Sequence, residues 1–268
     1  MEIYCINLDR DPERMAGIRR QFEAVGMAGD LLRFAAIDAR AGGFHAPGHA
    51  PHSWRDRWEL KPSEQAVFES HRAIWQHVAD GSAQGAVICE DDILVSRRFP
   101  EAVGALDLAR FGVVKLDGFD ASSHYGPEHE MNGWKVRPVR QAVPSAACYA
   151  LSQTAARKLL KDSGRYCETL DDFVFRARPG LHPVQLFPGV AVQGVCVAEA
   201  QAAPQEDSSR ISAREAEDRA GAVRRSKGPA AYRLYKELRR NLRKLRLSIG
   251  EGVICRPPLA DDLPPYAR

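Results

Sequence analysis

No run of about 18 apolar residues occurs in this 268-residue chain, which excludes a membrane-spanning helix. No CxxC pair occurs among the six cysteines (Cys5, Cys89, Cys148, Cys167, Cys196, Cys255). Several of them sit inside apolar runs, where a reduced, buried thiol is the plain expectation, and with it a cytoplasmic setting. A phosphate-cradling GxxxxGK[ST] loop is missing, which argues against a phosphoryl or nucleotidyl transferase of that type. There is no internal repeat and no collagen-like or low-complexity bias. The opening residues, MEIYCINLDR, lack the basic start and longer apolar region of a signal peptide, so export is not expected. An excess of one charge is also lacking, with 38 Lys+Arg against 35 Asp+Glu.

That balance hides a split. Between Arg219 and Arg246 lie eleven basic residues and one acid, Glu237, leaving 27 basic and 34 acidic residues elsewhere. The body is therefore mildly acidic and carries a strongly basic element near its end. The length suits one large domain plus an appendage, enough to bury a core without disulfide or metal. The expected divisions are a domain over 1–200, a polar linker over 201–228, and a basic amphipathic helix and tail over 229–268.

The local patterns predict an α/β domain. Residues 2–8 (EIYCINL) form a strand-length apolar run, and Asp11-Pro12 is a plausible N-cap and first position of a helix reaching residue 26. A second strand over 32–37 ends at Asp38. Residues 42–58, rich in Gly, Pro and His, read as an irregular loop. Ser63 opens a helix with Ala66, Val67, Ser70, Ile74, Trp75 and Val78 along one side. Gly85 leads into a buried strand, AVIC, that runs directly into Glu90-Asp91-Asp92. Strands over 111–117 and 146–152, a helix after 152, and a closing strand-like stretch over 183–193 complete the domain.

Open α/β sheets bind ligands at the carboxyl ends of their strands. Three inferred strands end in acids: Asp38, the 90–92 triplet, and Asp117. Three consecutive carboxylates after an apolar strand are costly unless a cation is near, and such oxygen clusters suit Mn²⁺ or Mg²⁺ facing a diphosphate. The bland reading is that they cap a loop or the next helix. Glu90 and Asp92, two apart, point the same way if the strand persists, and Asp91 then faces the interior. Which of the three binds is left open.

Several segments, in order, resemble glycosyltransferase family 25, the lipooligosaccharide biosynthesis and collagen galactosyltransferase group. INLDRDPER (6–14) is similar to its Ile-Asn-Leu-x-Arg opening. FAAIDAR (34–40) is similar to its Ala-x-Asp-Gly segment, with Ala39 where Gly is usual. LKPSEQAVFESHRAIW (60–75) keeps Glu64, Ser70 and His71 of its Ser-His stretch, departing at Ser63, Ala66 and Val67. VICEDDILVS (87–96) resembles its Glu-Asp-Asp motif closely. SAACYALSQTAARKLL (145–160), TLDDFVF (169–175) and LFPGVAVQ (186–193) resemble three later segments. The resemblance covers about residues 1–200 and excludes the basic tail.

It implies a Rossmann-like nucleotide-sugar transferase domain of the glycosyltransferase A type. The reaction implied is transfer of a hexose, galactose from UDP-galactose being the leading choice, to a lipooligosaccharide or other surface glycan. Transfer would be inverting, a single displacement with a carboxylate base. Glu90 and Asp92 are the candidate metal ligands. Asn7, Arg10 and Arg14, just after the first strand, together with Asp38, His71 and Asp91, are the donor-binding candidates. Asp171 is the base candidate and Asp172 its alternate, although Asp172 also suits a helix N-terminus as a structural charge. A solvated helix-face cation, a turn-forming acid and a core histidine are the bland readings of Arg14, Asp38 and His71. Trp54, Trp58 and Trp134 offer faces for stacking on sugars, with buried loop anchors the plainer reading. A catalytically inactive sugar-binding or scaffold domain is the rival.

Outside the resemblance, Leu234, Leu238, Leu242, Leu245 and Ile249 are spaced 4, 4, 3 and 4 apart and draw one stripe along a helix. Arg and Lys fill most of the remaining surface, the pattern of an interfacial helix over 229–249 on an anionic membrane surface. Each cation near such a surface contributes about 1 kcal/mol. The expected location is peripheral, at the cytoplasmic face of a membrane. Packing of the stripe on the domain or on a second subunit is the alternative. A nucleic-acid reader is not expected, since the body is acidic and no reading motif occurs.

Overall fold

The computed structural model of the chain describes residues 1–40, 44–141, 143–197, 227–248 and 251–267. Ile249 and nearly all of the expected linker lie outside the described residues.

The elements run β1 (Ile3–Asn7), α1 (Pro12–Ala24), β2 (Leu31–Ala35), α2 (Pro62–Asp80), β3 (Gly85–Glu90), β4 (Ile93–Val95), α3 (Phe99–Gly104) and α4 (Leu108–Phe111). There follow β5 (Val113–Lys115), β6 (Asp117–Gly118), β7 (Ser123–Tyr125), β8 (His129–Met131), β9 (Trp134–Pro138) and β10 (Cys148–Ser152). The chain ends with α5 (Gln153–Asp162), α6 (Leu170–Val174), β11 (Val184–Phe187), β12 (Ala191–Gln193), α7 (Ala230–Ser248) and β13 (Val253–Cys255). The fold is mixed α/β around a large central sheet, as the strand and helix patterns predict. That sheet has the order β2-β1-β3-β10-β5-β11-β9-β8. Strands β2, β1 and β3 are parallel, β10 runs antiparallel to both of its neighbours, and β11 is parallel to β5.

Alternation along the central strands sets the layers. Tyr4, Ile6, Ile88, Tyr149 and Leu151 point to one face, where Phe68, Ile74 and Trp75 of α2, Leu159 of α5 and Phe173 of α6 cover them. Ile3, Cys5, Val87, Cys89 and Ala150 point to the other, under Ile18 and Phe22 of α1 and Phe99 of α3. The parity of β3 thus assigns Glu90 to the α2 side and Asp91 to the α1 side. All six cysteines are unpaired and five are buried, as their apolar surroundings predict.

Several local expectations are corrected. Helix α2 starts at Pro62, not Ser63, because Glu64 accepts a hydrogen bond from the Lys61 backbone N–H at 2.8 Å and closes the first turn. Val67, expected on the apolar side, is 42% exposed, while Phe68 and His71 turn inward. Asp11 precedes α1 without a side-chain cap. The stretch 183–193 is two strands in different sheets: β11 pairs β5, whereas β12 joins β4 and β6 in a three-stranded sheet. The last residues are not a separate tail. β13 pairs antiparallel with β7, and Ala260 and Leu263 pack with Val192 and Cys196 in a small third core. Tyr266 and Leu259 lie so close to Gly118 that any Cβ there would collide with them.

Candidate active site

Strand β3 stops at Glu90, and residues 91–92 turn into β4. The strand does not persist to Asp92, yet the two acids expected to act together do converge. Gln193, at the end of β12, donates from Nε2 to Glu90 at 3.2 Å and lies 3.4 Å from an Asp92 oxygen. Asp91 goes the other way. It accepts from Asn7 Nδ2 at 2.7 Å and from Arg14 at 2.9 Å, and its side chain is 9% exposed. Burial raises its carboxyl pKa above the usual range, while Arg14 and Asn7 pull it back. The second Arg14 nitrogen lies 3.8 Å from Asp92. Asn7, Arg14 and Asp91 therefore form one buried tie between β1, α1 and the end of β3, with Asn7 also taking a hydrogen bond from Arg33 at 2.9 Å.

Behind Glu90 stands His71, carried inward on α2. Its Nδ1 lies 2.9 Å from the Tyr149 hydroxyl, which also accepts from the Trp75 indole N–H at 2.9 Å. The Glu90 carboxylate on the Nε2 side favours the tautomer with its proton there, Nδ1 then accepting from the Tyr149 hydroxyl. That atom is buried without a hydrogen bond and lies 3.8 Å from Glu90 Oε1. Complete burial pushes the histidine pKa down to about 3, so the ring is neutral and presents an N–H toward the carboxylate.

Arg10 and Asp38 pair with each other at the partly exposed rim, and Asp38 also accepts from the Arg40 backbone N–H at 2.9 Å. Asp117, the third strand-end acid, is fully buried against Lys115 at 2.7 Å and Ser145 at 2.7 Å, so it serves the core. Asp171 and Asp172 occupy the first turn of α6. Asp172 is held by Arg57 at 3.3 Å and Thr169 at 3.1 Å. Burial raises its carboxyl pKa, as does the neighbouring Asp171 charge, against the pull of Arg57. Helix α6 packs on α2, where Phe173 meets Phe68 at 5.1 Å and Trp75 at 6.1 Å between ring centroids.

Of the tryptophans, Trp134 is a buried anchor beneath Arg98, and Trp58 packs on Tyr232 of α7. Trp54 remains 45% exposed. Sequence reasoning missed Gln193, Tyr149 and Trp75 as parts of the site. Gln193 ends the LFPGVAVQ segment and Tyr149 lies in SAACYALS, so position within those segments was the available signal.

Among the described residues no three His, Cys, Asp or Glu side chains converge as a ready-made metal cage. The hard carboxylates of Glu90 and Asp92 nonetheless fit a cation such as Mn²⁺ or Mg²⁺, which is commonly bound by one or two carboxylates plus substrate phosphates. The amide N–H group of Gln193 already directs positive character at both carboxylates. No helix among the described residues is long and apolar enough to cross a membrane.

A family model described as Glycosyltransferase family 25 (LPS biosynthesis protein) matches residues 1–174, which include β1, α2, the β3 acids and α6. The chain belongs to glycosyltransferase family 25. A glycosyltransferase 25 family member of Aedes aegypti is 29% identical over 148 residues, covering 47% of this chain and 23% of that protein. One from Anopheles gambiae is 28% identical over 149 residues, covering 47% and 24%. The match thus spans about a quarter of the length of these family 25 relatives. Among solved structures, galactosyltransferase LgtC in complex with donor and acceptor sugar analogs aligns over 87% of this chain and 99% of its own, with 8% identity and a TM-score of 0.42. Mannose-1-phosphate geranyltransferase from Thermus thermophilus aligns over 69% and 72%, with 11% identity and a TM-score of 0.33. Superpositions this loose carry no argument, and the family assignment rests on the sequence match.

Proposed function

We propose that this family 25 chain transfers a hexose, galactose from UDP-galactose in the first instance, to a lipooligosaccharide or other surface glycan. The observation that carries the reading is the convergence of Glu90 and Asp92 on Gln193 at the end of β3, with neutral His71 behind them. Membership of the family supports a nucleotide-sugar donor and a glycan acceptor.

The chain's own groups divide the work. Arg14 and Asn7 tie Asp91 down and so fix the turn that presents Glu90 and Asp92. A divalent cation, Mn²⁺ or Mg²⁺, held by Glu90 and Asp92 would supply positive charge beside the leaving diphosphate. His71 stands behind Glu90, with Nε2 3.8 Å from its carboxylate, and is neutral, so it carries no charge that would compete with a cation. Arg10 and Asp38, at the rim beside β1 and β2, would meet phosphate and ribose of the donor. Asp171 takes the proton from the acceptor hydroxyl as it attacks in a single inverting displacement, with Asp172 as the alternate base. Positioning of both substrates supplies a further share of the rate. A glycolipid acceptor would be met at the cytoplasmic face of a membrane.

The test is nucleotide release from a panel of UDP-, GDP- and CMP-sugars with Mn²⁺, repeated in EDTA. Release from a UDP-sugar that chelation abolishes is the expected result. Silence across the whole panel contradicts transfer, and full turnover in EDTA contradicts the metal assignment.

A further inference from the structure

Helix α7 presents two different faces. Its first turn follows Gly228, at φ +72°, where a Cβ would meet the rings of Tyr232 at 2.7 Å and Trp58 at 2.8 Å. Tyr232 is buried against Trp58 and Trp54, with ring centroids 5.0 and 6.1 Å away, and its hydroxyl donates to the Arg55 carbonyl at 2.9 Å. Further along, Arg239 donates to Asp56 at 2.9 Å, and Arg243 lies 4.0 Å from the same carboxylate. Residues 232, 239 and 243 are seven and four apart, so they form one line down the helix. This inner face grips residues 54–58, and Arg57 there is the partner of Asp172.

The outer face is apolar and in solvent. Leu234, Leu238, Leu242 and Leu245 are 63, 56, 59 and 59% exposed. At 3.6 residues per turn their line lies about 120° around the helix from the inner face. Arg233, Lys236 and Arg240 lie well around the helix from this stripe, and the helix has a single acid, Glu237, already paired with Arg240. A second copy of the chain laid on this stripe would bring two strongly basic helices together with only one acid in each. A bilayer carrying anionic headgroups complements both parts, taking the leucines into its interface and the cations at its surface.

We propose that the outer face of α7 lies in the surface of an anionic bilayer while its inner face holds the Asp171–Asp172 corner beside that surface. The consequence for substrate rests on the transferase reading: the acceptor is lipid-linked and arrives from the α7 side. The docking itself does not depend on that reading.

The experiment is flotation of the full chain with vesicles of phosphatidylcholine alone and of phosphatidylcholine mixed with phosphatidylglycerol, at low and high salt. Wild type is compared with Leu234→Ser/Leu238→Ser/Leu242→Ser, whose sites are exposed and outside the active site. Wild type should float with the anionic vesicles only, less at high salt, and the triple variant should lose about tenfold or more in partition. Wild type that stays down, or a triple variant that floats equally well, overturns the proposal. So does light scattering that finds a wild-type dimer dissociated by the triple substitution. Nucleotide release in free solution should be the same in both proteins. A chain that floats but releases no nucleotide refutes the transferase reading alone, and one that turns over donor but never floats refutes the docking alone.

Discussion

Helices α2 and α7 are both nineteen residues long, yet α2 buries ten side chains while α7 buries Tyr232 and leaves four leucines more than half exposed. The buried set of α2 includes polar residues, because each finds a partner. Gln65 bridges the Ala46 N–H and the Leu60 carbonyl, Glu69 accepts from Tyr166 at 2.9 Å, and Ser70 accepts from the Ile37 N–H at 2.9 Å. In α7 the ring of Tyr232 together with Arg239 and Arg243 holds the domain, while the four leucines stay exposed. An apolar stripe at helical spacing therefore establishes amphipathicity without naming the partner. The partner follows from what the rest of the helix touches.

Substitutions at matched depths sharpen this contrast. The largest stability effect is expected at Trp75, fully buried between Phe68 and Phe173 and bonded to Tyr149. Trp75→Ala should lower unfolding free energy by about 3–5 kcal/mol in urea titrations. A loss below about 1 kcal/mol would mean that α2 is not the structural core of this face.

A pH-dependent effect, absent above pH 6.5 and growing in acid, comes from His71. Burial holds it neutral by moving its pKa from 6.5 down to about 3. Between those values the unfolded chain takes up a proton that the folded chain refuses, so acid favours unfolding by up to about 1.4 kcal/mol per pH unit. Wild-type stability should fall relative to His71→Asn as pH is lowered from 6.5 toward 3, and the two should run parallel above 6.5. Parallel curves over the whole range would mean that His71 protonates freely in the folded protein.

The smallest effect is expected on α7. Leu242→Ala, at a site 59% exposed, should change unfolding free energy by no more than about 0.5 kcal/mol. A cost comparable to that of Trp75→Ala would erase the distinction between the two helices.

Much of this was legible in the sequence where a local pattern and a burial pattern coincide. Strand β3 is a continuous apolar run buried by two neighbours, and its three acids mark its end unmistakably. Parity along β3 then separates Glu90 from Asp91. Helix α7 was legible because its stripe repeats without interruption, even though that stripe is exposed. What escaped depends on contacts distant in sequence. Gln193 reaches Glu90 across 103 residues, and its place at the end of the LFPGVAVQ segment does not say which residues it meets. The break of 183–193 into two strands follows from pairing with different partners, β5 and β6, which one apolar run does not reveal. Residues 253–266 were expected only as part of the tail, because side chains such as Ala260 and Leu263 find their partners far away in sequence, in the third core. His71 was visible as a candidate, but its neutrality depends on Tyr149 and Trp75, which arrive from β10 and from the next turn of α2.

The most direct test of the account is turnover by Asp92→Ala beside wild type, using whichever nucleotide sugar wild type hydrolyses or transfers in Mn²⁺. Asp92 contributes nothing to either main core, so the variant should keep the wild-type circular dichroism spectrum and lose its nucleotide release. A folded Asp92→Ala protein that turns over donor at the wild-type rate would contradict the assignment of the β3 end as the donor site.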